Sequence, residues 1–205
     1  KIISNGVDIT RFIPSPDKNR TRFKVYGDSV SSNDILIGNV ARWHPIKNHD
    51  FLFQVIAELV NPRYKFVLAG IGMDQSNCVL VHALKRYGIE DKVLLMGECD
   101  HIHQIMSTFD IHVLTSIMEG FGLVSAEAMS CGVPCISTRV GCQSEIISNY
   151  GFVLECNDYE GFIDSINKLC SNSASEKLAL STSCREHIEK RFSSQYMAIQ
   201  YYSYF

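Results

Sequence analysis

From Asp34 onward the chain alternates short apolar runs with amphipathic stretches, and that alternation leaves few folds open. Strands buried on both faces read as near-continuous apolar runs, while the helices covering them read with apolar residues three and four apart. Their repeated succession is the signature of βαβ units winding a parallel sheet. The runs predict strands near residues 35–41, 65–69, 93–96, 111–114, 134–137 and 152–154. Helical spacing falls between them. Over 49–59, Phe51, Leu52, Val55, Ile56 and Leu59 share a face, and Asn48 stands where an N-cap belongs. Further helices are expected over 77–87, 102–109, 123–131, 158–171 and 175–191. The fold class is therefore α/β, a Rossmann-like parallel sheet flanked by helices.

Two segments stand outside the repeat. Residues 1–33 hold the turn dipeptide Asn5-Gly6, then Pro14 and Pro16 in a polar stretch, and read as a leading loop. Residues 192–205 are rich in Tyr and Phe, with Ser193 placed to cap a last helix whose aromatic face needs a partner surface. The repeat itself occupies 34–191. The first residue is Lys1, not Met, which points to a piece of a longer chain.

Composition narrows the function classes. A chain of 205 residues with 46% hydrophobic residues can bury a core and is not disordered. A formal net charge of −3 argues against a surface built for nucleic acid, which needs many cationic contacts to phosphates. Eight cysteines without a Cys-x-x-Cys pair, among them Cys131, Cys135, Cys142, Cys156 and Cys170, read as free thiols of a reducing compartment. Cys131 with Cys135 is a weak metal alternative, lacking a second pair at ligand spacing, and His101 with His103, which could also tempt a metal reading, read rather as polar residues at a helix start after Asp100. No apolar run reaches the length of a membrane span, and Lys1-Ile2-Ile3 does not open a signal peptide. A cytoplasmic location is expected, with peripheral attachment at the inner face of the membrane left open.

In open parallel sheets ligands bind beyond the carboxyl ends of the strands. Three loops there carry chemistry. After the first strand, Arg42 and Lys47 lie five residues apart just before a helix; a guanidinium fork and a movable ammonium could together neutralise a diphosphate, or both could be solvated loop cations. After the second, Gly70 and Gly72 form a glycine turn, but Gln75 stands where the dinucleotide fingerprint needs its third glycine. After the fourth, Glu119-Gly120-Phe121-Gly122-Leu123-Val124-Ser125-Ala126-Glu127 places two carboxylates eight residues apart around a turn that opens a helix. Unpaired amides and the positive dipole end there suit an anion, and the two carboxylates suit sugar hydroxyls.

The ordered series Asn5-Gly6-Val7-Asp8 with Phe12, Arg42, Lys47, Ala69-Gly70-Ile71-Gly72, Met96-Gly97, Asp110, Ser116, Glu119 to Val124, Glu127-Ala128-Met129 and Gly132-Val133-Pro134 resembles the family-4 retaining glycosyltransferases over nearly the whole chain. The resemblance implies the carboxyl-terminal, donor-binding domain of a two-domain GT-B enzyme. Residues 1–33 would then arrive from the interdomain linker and 192–205 would pack on an amino-terminal, acceptor-binding domain. Arg42 and Lys47 would hold the donor diphosphate without a metal or other cofactor. Glu119 would contact the sugar, with backbone from Gly120, Phe121 and Gly122; Leu123 and Val124 would offer amides to phosphate; Glu127 would take the ribose hydroxyls. Gly70 and Gly72 would let the ligand approach, and Met96, Gly97 and Glu98 would lie near the base. The implied partners are a nucleotide-sugar donor, with a uridine diphosphate sugar expected, and a glycan or lipid-linked acceptor of polysaccharide or glycoconjugate biosynthesis. Isolated from its acceptor domain, the chain would be inactive. A sugar-nucleotide epimerase and a non-catalytic nucleotide-binding module of the same fold are the alternatives.

Overall fold

The computed structural model describes residues 3–203. Lys1, Ile2, Tyr204 and Phe205, the outermost residues of the two flanking segments, lie outside the described residues. Six strands, β1 (Ile35–Val40), β2 (Tyr64–Ala69), β3 (Val93–Gly97), β4 (Ile111–Leu114), β5 (Cys135–Thr138) and β6 (Phe152–Leu154), form one sheet in the order β3-β2-β1-β4-β5-β6. Every neighbouring pair is parallel. Parallel strands need crossovers, and helices supply them on both faces. The six expected strands all appear, within a residue of their expected limits.

Strand residues alternate between two cores. On one face Leu36, Val40 and Val67 pack with Met106, Phe109, Met129, Ile146 and Ile188. On the other Ile37, Phe66, Leu68, Val113 and Ile136 pack with Phe53, Ile56, Leu80, Phe162 and Ile166. The first layer contains α1 (Lys18–Tyr26), α4 (Ile102–Met106), α5 (Leu123–Ser130), α6 (Gln143–Ile147) and α8 (Ala174–Arg191); the second contains α2 (His49–Glu58), α3 (Cys78–Tyr87) and α7 (Tyr159–Ser171). A last helix, α9 (Ser194–Tyr202), is capped by Ser193, whose Oγ accepts from Tyr196 N at 3.1 Å. Among the described residues no helix is long and apolar enough to cross a membrane. All eight cysteines are free.

Three readings are corrected. Asn48 does not cap α2 with its side chain: it sits in the left-handed region (φ 53°), and its Nδ2 donates instead to Asn157 Oδ1 at 3.2 Å. Between the fifth and sixth strands, where no helix is expected from the sequence, lies the short helix α6, whose five residues are too few to show a period. The leading segment, read as a loop, contains α1. That helix is polar along most of its length, but Asp17 Oδ1 accepts from Arg20 N at 2.9 Å and Gly27 ends it with positive φ (57°). Arg22 anchors it. Its guanidinium is buried and donates to Thr108 O at 2.7 Å and 3.0 Å, to Asp34 O at 3.2 Å and to Asp110 Oδ2 at 2.6 Å. Asp110 Oδ2 also accepts from Leu36 N at 2.8 Å, so one carboxylate ties α1 to the amino ends of β1 and β4.

Segments from early and late in the chain meet at one seam. Val7 forms an isolated parallel bridge with Ser193: Val7 N donates to Phe192 O at 2.7 Å and Ser194 N to Val7 O at 2.9 Å. Arg185 of α8 closes the arrangement, donating to Ile9 O at 2.8 Å, Phe12 O at 2.5 Å and Ser130 O at 2.9 Å.

Two interior histidines give the fold a pH dependence. Burial, with Lys47 nearby, pushes His49 down to about 4, and burial pushes His112 down to about 3. Each stays neutral in the fold while the unfolded chain, titrating near 6.5, takes up protons. Stability therefore falls as pH drops below 6.5, and His49 alone contributes on the order of 3 kcal/mol by the time pH reaches its folded value. Urea unfolding followed from pH 7 down to about 4 should show this loss, and His112→Leu should remove about half of it, leaving the share of His49.

Candidate functional site

The strand order reverses between β1 and β4, so the loops that leave their carboxyl ends part there. Lys47, after β1, and Glu119, after β4, meet across that crevice: Nζ lies 2.6 Å from Oε1. The loops are fastened to one another along their backbones. Thr115 Oγ1 donates to Lys47 O at 2.9 Å, and Ile117 N to Ile46 O at 2.9 Å. Glu119 Oε1 also accepts from Ser116 Oγ at 2.7 Å, while Thr138 Oγ1 from β5 donates to Ser116 O at 2.5 Å. Lys47 and Glu119 are mostly shielded, with side chains 18% and 15% exposed, so their attraction is less screened than that of a surface pair. Arg42, by contrast, is exposed at the start of the same loop.

A second set of backbone contacts joins the loops after β1, β2 and β3. Gly70 (φ 134°) lies so close to Ala41 that a Cβ there would strike the Ala41 carbonyl. Gly70 N donates to Gly97 O at 2.7 Å, Gly97 N to Met73 O at 2.8 Å, and Trp43 N to Ile71 O at 2.8 Å. Gly72 backs on Trp43, Met96 is half-buried and Glu98 is exposed. The first two strand-end loops and the β3 end thus form one continuous rim.

The third loop turns at Gly122, which begins α5 in the left-handed region (φ 87°) and makes no side-chain cap bond. The first amides of a helix have no partners within it, so the start of α5, with Leu123 exposed and Val124 and Phe121 half-buried, offers donors to a ligand. Gly120 has open space where a side chain would sit. Glu127 lies one turn into α5, half-buried, with its carboxyl raised by burial and partly restored by the positive charge of Arg11.

Arg11 is the neighbour that sequence reading missed, and His103, weighed there only as a metal ligand or helix-start residue, stands beside it. Arg11 donates to Asp100 O at 3.0 Å and from Nε to His103 Nδ1 at 3.5 Å, which fits a neutral imidazole protonated on Nε2. Burial and the Arg11 charge both lower His103. Arg11 is aimed by a turn in which Asp8 Oδ1 accepts from Thr10 N at 2.9 Å, Thr10 Oγ1 at 2.6 Å and Arg11 N at 3.2 Å. The Asp-x-Thr spacing of that turn was the signal available in the sequence. The site so built has a Lys47–Glu119 end, an amide-bearing turn and a Glu127–Arg11 end. Among the described residues no group of three or more His, Cys, Asp or Glu side chains is placed to hold a metal ion. A cavity of about 530 Å³ lies between α2, α3 and the loop after β1, lined by Trp43, His44, His49, Phe53, His82 and Arg86.

Comparison with known proteins decides the family. The description "Glycosyl transferases group 1" matches residues 27–190. The chain belongs to the group 1 glycosyl transferases. A curated relative, the N-acetyl-alpha-D-glucosaminyl L-malate synthase of Bacillus anthracis, is 31% identical over 181 residues, covering 87% of this chain and 46% of its own. This group 1 chain spans about half the length of that relative. Its fold matches Anabaena HepE solved with UDP and glucose at a TM-score of 0.83, with 25% identity, over 99% of this chain and 55% of that one. It also matches the C-terminal domain of a group 1 glycosyl transferase, LpcC of Francisella tularensis, at 0.77, with 21% identity, over 92% of this chain and all of that one. The architecture is that of the carboxyl-terminal-type domain of GT-B glycosyltransferases.

The shielded pair is open to direct measurement. In a double-mutant cycle of Lys47→Met and Glu119→Gln, unfolding free energies should show a coupling of about 1–3 kcal/mol. The two single changes summed should destabilise more than the double change does, because each alone leaves a shielded charge without its partner.

Proposed function

We propose that this chain is the donor-binding half of a retaining, metal-independent glycosyltransferase that uses a nucleotide diphosphate sugar, UDP-linked in the first instance. The observation that carries the proposal is the Lys47–Glu119 pair standing across the switch point beside the unpartnered start of α5. A sugar diphosphate needs cations and amides for its phosphates and carboxylates for its hydroxyls, side by side. HepE, which this chain matches over 55% of its length, was solved with UDP and glucose, which supports the uridine assignment.

In this reading Arg42 grips the diphosphate with its guanidinium fork, and Lys47, which has three donors, serves a phosphate oxygen while still holding Glu119. Leu123 and Val124 donate their amides to the distal phosphate, with Gly120, Phe121 and Gly122 shaping the turn around the sugar. Glu119 accepts from sugar hydroxyls and Glu127 from the ribose. Gly70 and Gly72 keep the rim low enough for the nucleotide, and Met96, Gly97 and Glu98 border the base. As the bond from the anomeric carbon to the phosphate oxygen breaks, negative charge gathers on the leaving diphosphate. Arg42, Lys47 and the α5 dipole stabilise that charge in place. The acceptor hydroxyl then bonds the same face of the anomeric carbon and passes its proton to the departing phosphate. Glu119 positions the sugar in this scheme and is not a covalent nucleophile.

The acceptor, a glycan or a lipid-linked glycan, is assigned to an amino-terminal domain against which α9 would pack. Cytoplasmic action, at or near the inner membrane face, belongs to the same proposal and is supported by the eight free cysteines. Calorimetric titration of the folded chain with UDP and with GDP tests the donor proposal, and absence of binding by either at millimolar concentration would sink it. Arg42→Ala should weaken UDP binding by one to two decades, about 1.5–3 kcal/mol, with the thermal midpoint unchanged because the side chain is exposed. Wild-type affinity in that variant would remove Arg42 from the site.

A further inference from the structure

Gln143 opens α6 directly behind the glycine turn, and its side chain is fully buried. Neither its Oε1 nor its Nε2 has a hydrogen-bond partner among the described residues. Buried amides are almost always paired, so a carboxamide left bare at both ends needs a reason. Filling space is not one, since methionine would occupy the same volume without two unsatisfied groups.

The location supplies the reason. Nε2 stands where a side chain on Gly122 would begin, and a Cβ there would collide with it. Gly141 (φ 52°) presses equally closely beneath the Glu119 and Gly120 carbonyls. Residues 141–143 therefore form a shelf under the turn, while Gly120 above it faces open space. The turn is supported on the inside and free on the side from which an anion reaches the start of α5. A polar group that can both donate and accept, unpaired and lodged against the one residue that sets the direction of those amides, is suited to hold a second arrangement of the turn.

We infer that Gln143 is a positioning residue for the donor: its buried, unpaired carboxamide, lodged against Gly122, engages the backbone of the glycine turn when a phosphoryl group docks on α5. The inference rests on the donor-site reading above. Nε2 then donates to a turn carbonyl and Oε1 accepts a turn amide, fixing the remaining amides toward the phosphate. Gln143 itself does not touch the reacting atoms.

The test compares wild type with Gln143→Met, which keeps the length and loses both polar atoms, by thermal unfolding without ligand and by calorimetry with UDP. The Met variant should unfold at the same or a higher temperature yet bind UDP about five- to tenfold more weakly, the effect of one or two net hydrogen bonds. Equal UDP affinity in the two proteins would overturn the inference and leave Gln143 a packing residue. Should the Met variant not fold, the side-chain amide signal of Gln143 in wild-type nitrogen–proton spectra decides the matter. It should shift and gain protection from exchange at saturating UDP, and an unchanged signal overturns the proposal. Failure of wild type to bind UDP or GDP removes the donor site and Gln143 together, whereas binding by wild type with an indifferent variant removes Gln143 alone.

Discussion

A parallel sheet covered on both faces cannot turn back on itself by hairpins, and everything at the site follows from that constraint. Each strand must hand the chain to a helix, and when the winding has filled one side of β1 it has to cross to the other. The crossing falls between β1 and β4. Two loops that would otherwise run side by side are parted there, and the sheet edge acquires a crevice whose walls come from distant parts of the sequence. Lys47 and Glu119, separated by most of three βα units, become neighbours for this reason alone.

The electrostatics of the crevice are balanced before any ligand arrives. Lys47 and Glu119 neutralise each other, and Arg11 offsets the penalty that burial imposes on Glu127. Such a site holds its carboxylates in place without depending on the ligand to neutralise them, and it leaves Arg42 as the exposed cation on the same loop. The geometry is preorganised through backbone bonds. Thr115, Ser116 and Thr138 link β4, β5 and the Lys47 loop into one hydrogen-bonded circuit, so the ion pair is carried by three strands.

Much of this was legible in the sequence, for physical reasons that also explain what was not. The strands announced themselves because burial on both faces leaves uninterrupted apolar runs such as Phe66 to Ala69. Ser193 was readable as a helix start because its side chain can accept from an amide three residues on. Asn48 has the same chemistry, yet a preceding 3-10 turn at Pro45–Lys47 drives it into the left-handed region, where its side chain points away from the helix. α1 escaped notice because its hold on the body comes from Arg22, a cation that reads as surface until three carbonyl and carboxylate partners from elsewhere surround it. Arg11 was invisible for a similar reason. Pairing over about ninety residues, as with Asp100 and His103, leaves no local pattern.

The seam at Val7 and Ser193 has a mechanical consequence. Gly6 lies so tightly against Ser194 that no side chain fits between them, and Arg185 fastens this seam through Ile9 and Phe12 to Ser130, the last residue of α5. α5 is only two turns long, about 12 Å, and its other end is the glycine turn. α5 therefore runs as one short, buried element from the seam, where the segments flanking residues 7 and 193 meet, to the glycine turn, so the turn and the seam share a single rigid support.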